Sequence, residues 1–235
     1  DQRGERHLQA HPVPALVTRL LDRKEMLSSD KALAAVRKEA KGLEAADTWD
    51  LSTVREKAEL ISQLRRDGKS AHFGQLMSIC SEKFAELPVE QRVLKGRIVF
   101  RGDCCKDESG IAAVFQDLSA NPTSITGLNN NLAYGLLPGH KTTCADAVKA
   151  YVQSLLKSKQ QTWVELPPEL RPRQWQGKFQ KPVVRLVKSL YGHPEAGAHW
   201  EKHLTDILVE HMGGVTLHPI HPSSFHFPKT GLLLT

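Results

Sequence analysis

Short runs of apolar and β-branched residues alternate with amphipathic helical stretches in this chain, but the alternation has no regular rhythm. Glycine and proline residues separate the runs, as is typical of short strands that end in turns. A parallel sheet made of βαβ units would need a helix after every strand, and no such repeat is present. The sequence therefore predicts an α+β fold with helices packed on a mixed or antiparallel sheet. The strand-forming runs are residues 76–80, 97–100, 163–166, 183–187 and 232–235.

The composition is that of an ordinary globular protein. The 235 residues are 40% hydrophobic and 25% charged, which allows one large domain or two small ones with a core. No apolar run approaches the length of a membrane span, so we expect no membrane partner. The N-terminus, DQRGERHLQA, lacks the pattern of a signal peptide. The start without methionine and the apolar end both predict a piece of a longer chain.

The cysteines indicate the compartment. Cys80, Cys104, Cys105 and Cys144 form no C-x-x-C pair, and a bridge between the adjacent Cys104 and Cys105 would be strained. Disulfides are rare in the cytosol and nucleus, where thiols stay reduced. We therefore expect reduced thiols and an intracellular protein of the cytoplasm or nucleus.

Residues 1–68 are predicted to form a helical extension, followed by a second part over residues 69–140 and a third over residues 141–235. The helix start signals in the extension are Pro14 in a first turn, Ser29 or Asp30 as a cap, and a T-x-x-E capping box of Thr53 and Glu56. These helices carry no obvious chemistry and are interpreted as scaffold or as an interaction surface. A later helix is predicted to begin at Ser124, with Ile125, Leu128 and Leu132 facing inward.

The stretch LKGRIVFRGD contains a predicted strand with an alternating pattern. Because side chains alternate across a strand, Arg97 and Arg101 share one face, and Ile98 and Phe100 share the other. Two arginines on one face can bind a polyphosphate through charge-assisted hydrogen bonds. A solvated sheet face explains the same pattern equally well.

The stretch CADAVKAY, residues 144–151, contains the most interesting carboxylate. Thr142 and Thr143 favour a short buried strand over residues 142–145, which places Asp146 where the strand ends. A carboxylate at that position can reach a magnesium ion, which prefers hard oxygen ligands. Taken alone, an aspartate at a strand end is more often a cap or turn residue than a ligand.

Residues 171–188 are strongly basic and contain no acidic residue. Trp175 and Phe179 lie among the charges, an arrangement that also occurs where aromatic rings stack on bases of single-stranded nucleic acid. A solvated loop and a surface for nucleic acid phosphates explain the run equally well. The basic residues are Arg171, Arg173, Lys178, Lys181, Arg185 and Lys188.

His199 and His203 lie four residues apart, so both could face one metal ion on a helix. The pattern is H-W-E-K-H, and no third ligand follows at a suitable spacing. Because zinc needs three or four protein ligands, we interpret these histidines as solvent-facing.

The order of these motifs resembles the reverse transcriptase of copia-type retrotransposons. RLVKSLYGHPEAGAHWEKHL, residues 185–204, is similar to the family's L-x-K-S/A-L-Y-G-L-K-Q-A-P-R-A-W, a strand that leads through a turn into a palm helix. LKGRIVFRGD resembles the fingers motif Y-K-A-R-L-V-A-R-G, and DAVKAY resembles D-x-x-x-A-F/Y. AADTWDL, NPTSI and WVELP resemble further motifs, so the resemblance covers roughly residues 32–235. Each motif alone is weak, but together in this order they are specific.

The resemblance implies the fingers and the first part of the palm of an RNA-directed DNA polymerase, within a Pol polyprotein. Two magnesium ions, with manganese as an alternative, would clamp the phosphoryl transfer, and Asp146 would be the first catalytic ligand. Tyr151 would lie under the sugar of the incoming deoxynucleoside triphosphate. Lys95, Arg97 and Arg101 would neutralise the triphosphate.

The resemblance also implies contacts with an RNA template and a DNA primer. The implied residues are Arg171, Arg173, Trp175, Lys178, Lys181, Lys188 and Glu195.

Several positions depart from the family pattern. The glutamine of the turn motif is Glu195 here, its proline is Gly197 and its arginine is Ala198. The family's Y-V-D-D hairpin, which supplies the other catalytic aspartates, would follow residues 232–235. We therefore expect no polymerase activity from these 235 residues alone. The alternative is a non-catalytic nucleic-acid-binding or interaction module from a decayed retroelement.

Overall fold

Parallel and antiparallel strand pairing combine in this chain, which we describe from a computed structural model for residues 16–116, 118, 120–217 and 219–235. The helices are α1 (Arg23–Ser28), α2 (Asp30–Glu44), α3 (Lys57–Arg66), α4 (Ile125–Gly135), α5 (Ala150–Gln153) and α6 (Ala196–Asp206), and α6 continues as a π-helical turn over Ile207–His211. The strands are β1 (Thr18–Leu20), β2 (Trp49–Glu56), β3 (Ala71–Lys83), β4 (Val93–Phe100), β5 (Gln161–Glu165), β6 (Pro182–Leu186), β7 (Val215–Thr216), β8 (Phe225–Phe227) and β9 (Leu232–Leu234). The predicted α+β class with a mixed sheet is confirmed.

The chain divides into two compact units. The first contains residues up to Glu39 together with residues 78–97, and the second contains residues 40–77 and 98–235. The expected boundaries at residues 68 and 140 stay a prediction. Within the described residues, no helix is long and apolar enough to cross a membrane.

In the first unit, β1 pairs antiparallel with the end of β3, with Leu20 opposite Ser81. The helix expected to begin at Pro14 is wrong where it reaches residues 18–20, because these residues add a strand to β3. Pro14 itself lies outside the described residues. The predicted cap of α2 is confirmed, since the Ser29 hydroxyl accepts a hydrogen bond from the backbone N–H of Ala32 at 3.2 Å.

Gly96 fixes the approach of β4 to α2 in the first unit. A Cβ at this position would lie 2.5 Å from the Cα of Val36 and 2.6 Å from the backbone oxygen of Ala35. Both contacts are with backbone atoms, which cannot rotate away as a side chain can. Glycine is therefore required here by close packing.

In the second unit, the sheet has the order β3–β5–β6–β2, and β4 also pairs with β3. β3 and β5 are parallel, with Phe73 opposite Trp163, whereas β5–β6 and β6–β2 are antiparallel. The predicted pairing of the strands around residues 76–80 and 97–100 is confirmed. The apolar face of α3 covers this sheet, in a core formed by Leu60, Ala71, Phe73, Trp163 and Val183 with Ile61 and Leu64 at its edge.

The capping box predicted from Thr53 and Glu56 is wrong. Both residues lie in β2, and α3 begins at Lys57. Thr53 accepts a hydrogen bond from the backbone N–H of Arg185 at 2.9 Å, and Glu56 accepts one from the backbone N–H of Gln180 at 2.8 Å. Pairing with β6 and the segment before it therefore takes the groups that would have capped a helix.

Ser124 caps α4 as predicted, with its hydroxyl 3.0 Å from the backbone nitrogen of Gly127. The expected inward stripe on this helix is wrong, since Ile125, Leu128 and Leu132 are 80%, 45% and 46% exposed. α4 instead turns another face toward β9, where the Tyr134 hydroxyl donates to the Gly231 carbonyl at 2.8 Å. The apolar core nearby comes from α6 and β8 and contains Leu208, Phe225 and Phe227.

Candidate functional site

Two of the motifs that carry the resemblance meet at the backbone level in the second unit. The backbone N–H of Phe100, at the end of β4, donates to the carbonyl of Tyr191 at 2.7 Å. A Cβ on Gly102 would lie 2.8 Å from the Gly192 oxygen, and a Cβ on Gly192 would overlap the Phe100 oxygen. Gly192 also has a φ of +88°, a conformation that L side chains rarely adopt. We call this meeting of residues 100–102 and 191–192 the motif junction.

Tyr151 brings a third motif to the motif junction. Its ring centroid lies 5.1 Å from that of Tyr191, with the two rings at 69°. The segment after α5 holds this position, because the Leu156 N–H donates to the Val187 carbonyl at 2.9 Å and the Ser189 N–H donates to Ser154 at 3.0 Å. Edge-to-face aromatic pairs of this kind contribute about 0.5–1.5 kcal/mol beyond burial.

Arg101 lies in the motif junction but is already engaged. Its Nη2 lies 2.9 Å from Oδ2 of Asp103, and both side chains are exposed to solvent. The hydrogen bond that Arg101 donates to Asp103 raises the pKa of Arg101 and lowers the pKa of Asp103. A phosphate that binds Arg101 must therefore compete with the Asp103 carboxylate.

Lys95 and Arg97 lie on β4 and are exposed, whereas Ile98 and Phe100 are buried. The predicted alternation along this strand is confirmed. Lys95 and Arg97 belong to the first unit, and Arg101 belongs to the second. A shared triphosphate site that contains all three cations stays a prediction.

Asp146 does not lie at a strand end. The strand predicted over residues 142–145 is wrong, because residues 141–147 have no regular secondary structure. All of residues 141–149 are exposed. We call them the acidic loop after Asp146, their one acidic residue, although Lys141 and Lys149 give the segment a formal positive charge. The β preference of Thr142 and Thr143 is mainly a preference for packing on a neighbouring strand, and no strand within the described residues pairs with them.

Asp146 does not belong to a preformed group of metal ligands in the described residues. Asp146 forms no hydrogen bond or ion pair with the described residues, and these residues contain no group of three or more His, Cys, Asp or Glu that could hold a metal ion. Two magnesium or manganese ions need carboxylates from more than one strand. A lone exposed carboxylate does not fit that requirement, so no catalytic step is assigned to these ions.

The basic run is a partly anchored surface. Arg173, Lys178 and Lys181 are exposed. Arg171 is half-buried, and its Nε donates to the Leu166 carbonyl at 2.9 Å. The carboxylate of Glu56 holds the backbone of the basic run by accepting a hydrogen bond from the N–H of Lys181 at 3.1 Å. Three cations of the run therefore face solvent in a segment whose backbone is held.

The aromatic residues of the basic run do not share this exposure. Trp175 is buried, and its ring centroid lies 6.3 Å from that of Phe179 in an edge-on pair. A base could stack on Trp175 only if the ring left the core. Its proposed contact with template or primer stays a prediction.

Glu195 lies inside the second unit and is buried. One carboxylate oxygen accepts the backbone N–H of Gln116 at 3.1 Å, and the other accepts the Ser158 hydroxyl. His199 Nε2 lies 3.9 Å from the same carboxylate, with only 9% of its side chain exposed. The interpretation of His199 as solvent-facing is therefore wrong, and the template contact proposed for Glu195 has no support from its position.

Two buried histidines adjoin Glu195. His193 packs its ring 4.8 Å from that of Phe100 and 5.2 Å from that of Phe115, and His72 packs 4.7 Å from Phe115. Burial disfavours the imidazolium form, which lowers the pKa of His193 to about 4 even though Glu195 opposes the shift. The pKa of His72 is lowered for the same reason. The sequence analysis did not predict this cluster. The signal for it in the sequence is that His193 and His199 lie on either side of Glu195.

Comparison with known proteins finds no counterpart. No family model matches the chain, and neither a curated protein nor a solved structure is significantly similar to it. The resemblance to copia-type reverse transcriptases stays a prediction based on the motifs.

Proposed function

We propose that this chain is the fingers and part of the palm of an RNA-directed DNA polymerase of a copia-type retrotransposon. The observation that carries the proposal is the motif junction, where residues from three matched motifs are adjacent. The Phe100–Tyr191 hydrogen bond of 2.7 Å and the Tyr151–Tyr191 ring contact of 5.1 Å join motifs that are far apart in sequence.

In this proposal, the motif junction takes part in binding the incoming nucleotide. Tyr151 is half-buried with its ring against Tyr191, so it presents a flat apolar surface suited to a sugar ring. Arg101 can exchange Asp103 for a phosphate oxygen, because an exposed ion pair contributes little in water. A contribution of Lys95 and Arg97, which belong to the first unit, stays a prediction.

The basic run is proposed to contact the phosphates of template and primer. Arg173, Lys178 and Lys181 are exposed cations on an anchored backbone, and such contacts are independent of base sequence. Lys188 is proposed for the same role. Binding should weaken steeply with salt, since each neutralised phosphate releases condensed counterions.

We also propose that this chain binds template, primer and nucleotide but does not extend the primer. Nucleotidyl transfer through two metal ions needs carboxylates that are not grouped around Asp146. A primer-extension assay with magnesium and residues 1–235 should show no elongation above background. Clear elongation by this chain would overturn that part of the proposal.

The test of binding is a template–primer titration by fluorescence anisotropy. The triple variant Arg173→Ala/Lys178→Ala/Lys181→Ala should bind an RNA–DNA duplex about tenfold or more weakly. Its slope of log affinity against log salt should be less steep by about 2 to 3, because each lost phosphate contact removes about 0.9.

The matched control is the triple variant Lys24→Ala/Lys31→Ala/Lys38→Ala, which removes the same charge from exposed positions of the first unit. It should change the affinity less than twofold to threefold, by a general charge effect only. Equal losses in the two triple variants would mean that binding depends on net charge and not on the basic run, and would contradict the proposal.

A second candidate is a non-catalytic nucleic-acid-binding module, and the exposed acidic loop without regular secondary structure favours it. The two candidates differ in their response to magnesium when labelled dATP is titrated. A polymerase fragment should bind dATP more tightly with magnesium, and Asp146→Asn should remove that gain. The control Glu90→Gln alters another exposed carboxylate and should keep it. No magnesium effect in the unaltered chain would favour the second candidate.

A further inference from the structure

A cavity of about 330 Å³ lies in the second unit between α6, the segment after α5 and the residues after β6. Lysine is the commonest residue type in its lining, which contains Lys157, Lys188, Lys202, His199, His203 and Asp206, with residues 153–155 closing one side. We call it the lysine cavity.

Regular structure explains why these side chains converge. His199, Lys202, His203 and Asp206 follow the i, i+3, i+4, i+7 spacing, so they form one stripe along α6 and its last turn. Opposite this stripe, Leu155 and Lys188 form an antiparallel bridge. Directly opposed residues share a face of such a pair.

Lys157 joins the cavity because it lies two residues after Leu155, and alternate residues of a paired segment point to the same side. The Leu156 N–H donates to the Val187 carbonyl at 2.9 Å, which holds this register. Lysines from two separate parts of the fold, Lys202 of α6 and Lys157 and Lys188 of the paired segments, therefore line the same cavity.

Positive charges outnumber negative ones in the lining of the lysine cavity, although the buried Glu195 carboxylate, which does not line it, lies 3.9 Å from Nε2 of His199. Three lysines face one carboxylate, that of Asp206, which leaves a surplus of two positive charges. Within the described part of the chain, Lys157, Lys188 and Lys202 form no ion pair or side-chain hydrogen bond. Like charges around one cavity repel, and an anion in the cavity would relieve that repulsion.

We propose that the lysine cavity binds a phosphate group, carried by a free nucleotide or by a nucleic acid strand. Lysine ammonium groups bind phosphate oxygens by charge-assisted hydrogen bonds, and imidazole N–H groups add further donors. The volume accommodates a phosphate with part of a nucleoside but not a duplex. The inference does not depend on the polymerase proposal, because it requires neither Asp146 nor the motif junction.

A metal cation fits the lysine cavity less well than an anion does. His199, His203 and Asp206 are the types of residue that bind metals, but they are not grouped so that they could hold an ion. Three ammonium groups would also repel a metal cation. The lining therefore favours an anion over a metal.

The experiment is an NMR titration of the imidazole signals of His199 and His203 with inorganic phosphate at constant ionic strength. Both signals should shift and saturate. The double variant Lys157→Ala/Lys202→Ala should weaken phosphate binding about tenfold or more, because it removes two charge-assisted contacts. Both positions are exposed, so the fold should be retained, which circular dichroism checks.

The matched control is Lys229→Ala, an exposed lysine of the same unit that does not line the cavity. It should leave phosphate affinity within about twofold. Absence of a saturable shift, or an equal loss of affinity in the double variant and the control, would overturn the inference.

Two further titrations identify the source of the phosphate. Deoxyadenosine monophosphate that saturates the same signals more tightly than inorganic phosphate would indicate a free nucleotide. Oligothymidylate that binds more tightly still and competes with phosphate would indicate a strand. A loss of template–primer binding without a loss of phosphate binding would refute the polymerase proposal and leave this inference intact.

Discussion

The motif junction and the acidic loop lie in the same unit but differ in what fixes their residues. At the motif junction, glycines pack backbone against backbone, and a buried histidine and glutamate lie immediately after Gly192. In the acidic loop, residues 141–149 are all exposed, and Asp146 forms no hydrogen bond with the described residues. Packing therefore explains the residue types of the junction and explains nothing about Asp146.

This difference separates two kinds of evidence for the polymerase proposal. The matched glycines at positions 102 and 192 have a structural reason that would hold for any function. Asp146 has no packing or hydrogen-bonding role in the described residues, so its proposed role in metal binding rests on the motif alone. Stability measurements should therefore respond to changes at the junction, and only binding measurements should respond to changes in the acidic loop.

The largest expected effect is that of Gly192→Ala. The added Cβ would overlap the Phe100 oxygen, and the φ of +88° is unfavourable for alanine. We expect a loss of about 3 kcal/mol or more in the free energy of unfolding, measured by urea denaturation. Gly213→Ala is the control, because it has a φ of +73° but no atom within 4 Å of the added Cβ. It should cost about 1 kcal/mol, and equal losses would contradict the role of close packing.

The second largest expected effect is a loss of stability at low pH, which the buried histidines beside the motif junction cause. His193 has a folded pKa of about 4, below its ordinary value near 6.5, so the unfolded chain binds more protons between these pH values. The stability is complete above pH 6.5 and is lost as the pH falls toward 4. Urea denaturation should show about 2 kcal/mol less stability at pH 5 than at pH 7.

His72 shifts in the same direction and adds to this loss. The variant His193→Gln removes the main titrating group, so it should be less stable at pH 7 but should lose much less between pH 7 and pH 5. An unchanged pH dependence in this variant would show that other groups cause the acid sensitivity.

The sequence predicted elements well where local signals and packing agree. The alternation in β4 and the Ser29 and Ser124 caps are local features, and the structure has all of them. Prediction failed where long-range pairing decides. Thr53 and Glu56 have the local pattern of a capping box, but partners more than a hundred residues away hold them in a strand.

The same difference between local signals and long-range packing applies to the candidate site. Arg101 and Tyr151 lie near the turn that follows β6, and the nucleotide contacts implied for them stay predictions. Asp146 lacks the strand that was expected to place it. The burial of Glu195 and the lysine cavity depend on α6 packing against segments distant in sequence. Spacing along α6 showed the stripe of His199 and His203 but not what lay opposite.

A third prediction compares two aspartates. Asp146→Ala should change the free energy of unfolding by less than about 0.5 kcal/mol, as for surface substitutions away from packed features. Asp22→Ala should cost about 1 kcal/mol, because Asp22 caps α1 by accepting the backbone N–H of Glu25 at 2.8 Å. Urea denaturation measures both. A larger loss at Asp146 than at Asp22 would mean that the acidic loop is packed, and the comparison with the motif junction would fail.

The smallest effect concerns the exposed ion pair at the edge of the junction. Asp103→Asn releases Arg101 from its 2.9 Å contact, so a phosphate no longer competes with a carboxylate for the guanidinium. Binding of labelled dATP should strengthen about twofold to fivefold, the range expected for an exposed pair. Glu90→Gln removes an equal charge elsewhere and should give less than half of that gain. Weaker dATP binding in Asp103→Asn would show that Asp103 positions Arg101 for the nucleotide and does not compete with it.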